Sequence, residues 1–282
     1  MLKRNLFGVL LLSIASLGFT NCSDSDEPTE SQNTEVDLSK GEYKHKILVE
    51  DITSASCVWC PLGTIAIEGL EKSDYKDKVI GVGVHGDFDV RNIKDPFVLP
   101  GMTNLMNALA LKGWPHLSFN RNTTIAGTAF QSFIPETAFG IYTFSPTSFE
   151  TFQTKNTLIK DSSPIGIKIE SNLGAAEGKV NLSLKFSQSI NKNLKYVIYV
   201  LEDGLVFQQA KHLRLLGEQG NGGKWDMNFI HDHVVRATNS FLGDPIAADQ
   251  TKTTNEFKTT SNLTYTIKDL AKASVVVAIL DE

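Results

Sequence analysis

The sequence predicts two unlike halves, an α/β domain followed by an all-β, sandwich-like one. Three observations carry that expectation. Between Lys44 and Leu70 an apolar run, Ile47-Leu48-Val49, leads through Glu50-Asp51-Ile52-Thr53 into Cys57-Val58-Trp59-Cys60-Pro61. A helical pattern follows at once, with Leu62, Ile65, Ala66, Gly69 and Leu70 recurring on one face. From there to about residue 162 strand and helix patterns alternate, whereas after Ser163 short runs of period two are separated by turns.

Taken in order, residues 1–21 stand apart from the fold. Lys3 and Arg4 precede an apolar stretch, Leu6 to Leu17, too short to span a bilayer comfortably. Phe19-Thr20-Asn21 then leads to Cys22, an arrangement that resembles a bacterial lipoprotein signal and implies lipidation of Cys22. The alternative is an unmodified Cys22 after an ordinary cleavage site. Residues 22–42 are acidic, rich in Ser and Thr and nearly free of apolar side chains, so they read as a solvated tether. Their opening, Ser23-Asp24-Ser25-Asp26-Glu27, resembles the acidic tag that sends Bacteroidetes lipoproteins to the outer face of the outer membrane.

The first domain is expected over residues 43–162. A second buried strand falls at Lys78–His85, and a second amphipathic helix near 100–111 shows Met102, Leu105, Met106 and Leu109 in helical spacing after Pro100. Gly113-Trp114-Pro115 precedes a short strand, Leu117-Ser118-Phe119. Residues 123–162 carry many phenylalanines without a clean period, and a helix from about Pro146 to Lys160 closes the domain.

The second domain is expected over residues 163–282. Ile165/Ile167/Ile169, Val180/Leu182/Leu184/Phe186, Tyr196/Ile198/Val200, Leu263/Tyr265/Ile267 and Val275–Ile279 read as strands of a sandwich. Between Gln208 and Asp226 the sequence reads as a Gly-rich loop. Its segment Gly217–Gly223 lacks the strand–loop–helix setting and the lysine of a phosphate cradle and reads as a flexible turn.

The totals bound the function. A hydrophobic content of 41% and a charged content of 21% suit a globular chain, and 282 residues are enough for two cores. A net charge of −5 with no Lys/Arg cluster argues against nucleic acid as a partner. Of three cysteines, lipidation of Cys22 removes one and leaves Cys57 and Cys60 as an isolated pair in an exported, disulfide-permissive compartment.

That pair sits where a strand ends and a helix begins. A helix N-terminus presents unpaired N–H groups and partial positive charge, which favour a thiolate. With Pro61 tolerated only in a first turn, the helix is expected to start between Cys57 and Cys60.

The strand–CxxC–helix unit resembles the thioredoxin superfamily. Asp51, six residues before Cys57, matches the buried acid at the end of the strand in that superfamily. Trp114-Pro115 looks like its loop that sets a cis-proline against the disulfide. The stretches VEDITSASCVWCP, VHGDF, GWPHLSFNR, YVLEDGLVFQQ and FIHDHVVRA are similar to the Bacteroidetes 28-kilodalton outer-membrane protein family of lipoproteins. This likeness spans most of the mature chain. It implies a thioredoxin-like N-terminal domain, a β-rich C-terminal domain and an outer-membrane location.

The resemblance implies Cys57, Cys60, Asp51 and Pro115 as the catalytic set. Cys57 would be the more exposed, attacking thiolate and Cys60 the resolving thiol. A buried Asp51 would exchange a proton with Cys60, and Pro115 would shape a groove for a cysteine-containing protein or peptide. The motif departs from thioredoxin in carrying Val58-Trp59 between the cysteines. A permanent structural disulfide in a surface binding or adhesion protein accounts for the same pair without turnover. No cofactor is implied. His231 and His233, at i and i+2 in a strand pattern, are expected to share a face, as surface residues or as a metal-binding pair. His85 and His116 are expected near the cysteines, as solvated loop residues or as modulators of the thiolate.

Overall fold

The computed structural model describes residues 41–87, 93–111, 113–137 and 141–281. The leader, Cys22 and the tether as far as Lys40 lie outside the described residues.

Strand β1 (Ile47–Thr53) is buried along its whole length, so its side chains alternate between two cores. Ile47 and Val49 face helix α1 (Pro61–Glu71), and Leu48 and Ile52 face the opposite side. Strand β2 (Val79–His85) runs parallel to β1, with Asp51 opposite Gly83. Helix α2 (Met102–Ala108) covers the far face through Met102 and Leu105. Strand β3 (His116–Phe119) returns antiparallel to β1, and β4 (Thr123–Ala126) pairs antiparallel with β3. The aperiodic phenylalanines have a common destination. Phe130 and Phe133 of α3 (Phe130–Phe133) and Phe149 of α4 (Pro146–Asn156) pack with Phe119 beneath α1. Ser145 caps α4, its Oγ accepting from the Ser148 amide.

The chain continues as β5 (Ile165–Leu173), β6 (Glu177–Phe186), β7 (Leu194–Glu202), β8 (Leu205–His212), β9 (Gly223–His231), β10 (Val234–Thr238), β11 (Asp244–Ile246), β12 (Glu256–Thr264) and β13 (Ala273–Asp281). Among these, β12-β6-β5 form a separate antiparallel sheet. Its Val180, Leu182 and Leu184 face Ile198, Val200 and Val277 of β7 and β13 in one apolar layer. Two facing sheets with alternating inward residues are what period two dictates.

The main sheet does not stop at residue 162. Its order is β11-β7-β10-β2-β1-β3-β4, with β13 on the other side of β7. The join is β10 beside β2, parallel, with Val234 opposite Gly83. A buried polar knot fastens the two halves. Glu50 of β1 is fully buried and receives Arg121 Nη2 at 2.7 Å and Nε at 3.0 Å, together with the Tyr199 hydroxyl of β7 at 2.7 Å. Arg121 Nη1 also donates to the Phe241 carbonyl at 2.7 Å. The expected boundary between 162 and 163 therefore has strands of one sheet on both sides of it.

Two expectations for the second half are corrected. The Gly-rich loop expected between Gln208 and Asp226 is shorter than that, confined to residues 213–222, because Gln208–His212 and Gly223–Asp226 belong to the strands of the β8–β9 hairpin, a two-stranded sheet of its own. His231 and His233 do not share a strand face. His231 ends β9, while His233 sits in the following turn at φ 57.

Candidate functional site

The cysteine turn leaves β1 at Thr53 and folds tightly before α1. Cys57 N donates to the Ser54 carbonyl at 3.1 Å, and Cys60 N to the Cys57 carbonyl at 3.3 Å. Cys60 is the N-cap of α1 with Pro61 next, so the helix begins one residue after the motif rather than within it. The i, i+3 spacing thus spans a turn. It brings the two Cα atoms to 5.4 Å, and the sulfurs are joined as a disulfide.

Both cysteines are buried, Cys57 with 3% and Cys60 with 1% of its surface exposed. The expected exposure of Cys57 is not met, because strand β8 lies across the turn. Ala210 N donates to the Ala55 carbonyl and His212 N to the Val58 carbonyl, each at 2.8 Å. The Gln209 side-chain amide donates to the carbonyls of Cys57 at 2.9 Å and Ser54 at 3.2 Å. Trp59 stacks on the His212 ring at 4.0 Å and meets Tyr142 edge-on. Gly223 leaves room for Val58, which a Cβ there would strike. The coverage by β8 and β9 was not legible, because the residues supplying it sit more than 140 positions downstream in a stretch that reads as a loop.

Beneath the turn, Asp51 points from β1 at α1. The helix is glycine at that contact, and a Cβ on Gly63 would fall on the carboxyl group. Asp51 is 3% exposed, and its Oδ1 has no hydrogen-bond partner. Burial lifts this carboxyl to about 8. It borders a cavity of ≈ 30 Å³, room for one or two waters, lined also by Gln209, His85, His231 and His233.

The histidines are placed differently from a solvated loop. His85 is buried, its Nδ1 2.7 Å from Asp95 Oδ2. Asp95 also accepts from Ala55 N at 2.8 Å and Phe97 N at 2.9 Å, so it steadies the approach to the cysteine turn. Burial pushes the Asp95 carboxyl up, but the His85 ring and these two amides outweigh it and hold the group below its ordinary value. His231 lies 5.3 Å from the His85 ring, and burial together with that neighbour takes it down to about 3. His116 is buried too, and burial lowers it. His233 is half-buried, and although burial opposes its charge, Glu71 at 3.2 Å with Asp203 and Asp232 raises it. Among the described residues no cluster of His, Cys, Asp and Glu is arranged to hold a metal ion.

Pro115 immediately precedes β3, whose His116 pairs with Ile52 near the end of β1. The Trp114–Pro115 peptide is cis. A larger groove of ≈ 780 Å³ lies between Tyr43, Ile167 and the run Val275–Asp281, and none of the site residues lines it.

With this geometry in place, residues 103–282 match the family model described as outer membrane protein Omp28. The chain belongs to that family. Its matched stretch contains Pro115 and the whole β8–β9 hairpin but begins after the cysteine turn. Membership makes the chain an outer-membrane protein by family. Among solved structures, HBP35 of Porphyromonas gingivalis is similar in fold, with a TM-score of 0.56 and 18% identity, covering 84% of this chain and 69% of that one. No curated protein matches the sequence.

Proposed function

We propose that this Omp28-family protein carries out thiol–disulfide exchange at Cys57–Cys60 on cysteine-containing proteins or peptides. We read it as anchored to the outer membrane by a lipidated Cys22 and facing the cell exterior. In this reading residues 43–162 are a thioredoxin-like unit, to whose sheet the sandwich-like residues 163–282 are joined. The order β2-β1-β3-β4, the disulfide at the N-cap of α1 and the cis-proline before β3 support that resemblance.

Asp51 carries the reading. A disulfide staple has no use for a carboxyl group buried without a full set of partners, and such a group destabilises the fold whenever it is ionised. An exchange site does use it. A client thiolate attacks Cys57 Sγ, the Cys57–Cys60 bond breaks, and a client–Cys57 disulfide forms. Cys60 leaves as a thiolate and takes the proton that Asp51 holds near neutral pH. The client's second thiolate then attacks its own sulfur in the mixed disulfide, freeing the Cys57 thiolate, which takes a proton from water. The client dithiol is oxidised to a disulfide, and the protein's pair is reduced.

The burial of both sulfurs favours a second reading, a structural disulfide in a non-enzymatic surface binding protein. The reduction potential separates the two. Exchange requires a value above roughly −300 mV and alkylation of Cys57 after mild reduction, whereas a staple lies below that value and resists glutathione. Digestion by protease added to intact cells tests the outward orientation.

A further inference from the structure

The β8–β9 hairpin is built as two halves with a joint between them. Its base is anchored. Leu205 and Phe207 pack with Phe97 and Val234, and His231 lies against Phe97 at 5.2 Å. At the neck, Gly204 N donates to Asp232 Oδ1 at 2.7 Å and His233 N to Asp203 Oδ1 at 2.6 Å. The register then slips between Phe207 and Gln209, where one residue of β8 faces two of β9. Such a bulge interrupts the ladder and lets a strand bend. Beyond it comes the distal half, Gln209–His212 against Gly223–Asp226, with an exposed loop at its tip.

That distal half makes the contacts that hide the disulfide. Its attachments to the cysteine turn are the two main-chain bonds to Ala55 and Val58, the Gln209 amide on Cys57 and Ser54, the His212 ring on Trp59 and the close approach of Gly223 to Val58. Its tip reaches the body through Arg214, 3.9 Å from Glu136, and through Leu215. Its own ion pairs, Lys211–Asp226 at 2.7 Å and Lys224–Glu218 at 2.6 Å, join the hairpin to itself and not to the turn beneath it. The distal half is therefore cohesive as a unit and held to the cysteine turn by a few polar bonds, one ring contact and the Val58–Gly223 approach.

We propose that the distal half of the β8–β9 hairpin is a built-in cover that swings about the bulge at Gln208, and that it must part from Ala55–Val58 before any thiol reaches Cys57. Its physiological meaning, control of exchange, rests on the reading above. The cover itself does not, since it concerns access to the sulfur.

The test compares the full mature chain with the double variant Gln209→Ala/His212→Ala. Dithiothreitol is the probe, and alkylation of Cys57 read by mass is the signal. Loss of the two side-chain hydrogen bonds and one ring stack that cross to the cysteine turn should speed reduction at least about tenfold, while the oxidised protein still unfolds in a single cooperative urea transition. In the unsubstituted protein the Ala210 and His212 amides should exchange hydrogen much faster than those of the hairpin base. The proposal is overturned if the variant is reduced no faster, or if those amides open only with the whole fold. Failure of the exchange reading looks different, because an uncovered pair would then accept electrons from dithiothreitol yet fail to oxidise a dithiol peptide.

Discussion

Replacing Asp51 by Asn tests whether the site is tuned for proton transfer. Asparagine has nearly the same shape beneath Gly63 but cannot ionise. In the folded chain burial holds the Asp51 carboxyl near 8, against an ordinary value near 4. Below pH 4 both folded and unfolded chains carry the proton, and its contribution to stability is constant. Between pH 4 and 8 the unfolded chain releases the proton while the folded chain keeps it, so stability of the natural protein falls as pH rises. Above pH 8 the loss levels off. A rise from about 4 to about 8 corresponds to about 5 kcal/mol. The assay is urea unfolding of both oxidised proteins from pH 5 to pH 9. The stability of Asp51→Asn relative to the natural chain should climb by up to about 1.4 kcal/mol per pH unit as far as pH 8 and then flatten. Parallel curves across that range would show an ordinary carboxyl group and remove the main support for exchange.

Other substitutions probe the surrounding structure. Gly63→Ala should cost roughly 1–3 kcal/mol in urea unfolding by driving a Cβ onto Asp51, and most of that cost should vanish in an Asp51→Ala background. Arg121→Met should cost about 3–5 kcal/mol, because Glu50 would remain buried without its cation; a loss under about 1 kcal/mol would mean the knot does not fasten the two halves. His233→Asn suits the left-handed turn but loses the contact with Glu71. Because the histidine is raised on folding, its contribution is fully present below its unfolded value near 6.5 and lost as pH rises through the folded one. Thermal melts should therefore show a penalty at pH 6 that disappears by pH 9. Finally, the ratio of dithiothreitol reduction rates, natural chain over Asp51→Asn, should rise between pH 7 and pH 9. A ratio independent of pH would disconnect Asp51 from access to the pair.

What could be read from the sequence was what local pattern controls. The strand into CxxC, the helix after Pro61, the parallel β2, the helix after Pro146 and the period-two strands of the second half all follow from spacing and punctuation. The phenylalanines of residues 130–152 defeated that approach because they converge from two short helices on one point, which leaves no single period. Gln208–Asp226 defeated it for another reason. Glycines at its tip masked a hairpin whose inner residues, Gln209, Ala210 and His212, are not apolar in pattern yet are buried against backbone carbonyls. Cys57 and Cys60 were legible as a pair from their spacing, and Asp51 and Pro115 as candidates only through the resemblance to thioredoxins. The Asp95–His85 pair that steadies Ala55 was not, because a lone Asp in a loop carries no signal of its partner.

The cover and the acid belong to one device, because Gln209 serves both. Its amide holds the Cys57 carbonyl from above, and its side chain walls the small cavity that Asp51 borders from below. Glu68, His85, His231, Asp232 and His233 also line it, and His233 is raised as a cation at the partly exposed rim. Withdrawal of Gln209 would admit water to the cavity, and water stabilises the ionised carboxylate, so the open state must have a lower Asp51 pKa than the closed one. Linkage makes the relation reciprocal, and loss of the Asp51 proton therefore favours opening. In the closed site Asp51 keeps its proton and the disulfide is out of reach. When the site opens, water makes the carboxyl a stronger acid, so it serves the departing Cys60 thiolate only in molecules that open with the proton still bound. A single hairpin movement would then admit the client thiol and, by the same step, raise the acidity of the proton that Cys60 has to take before water does.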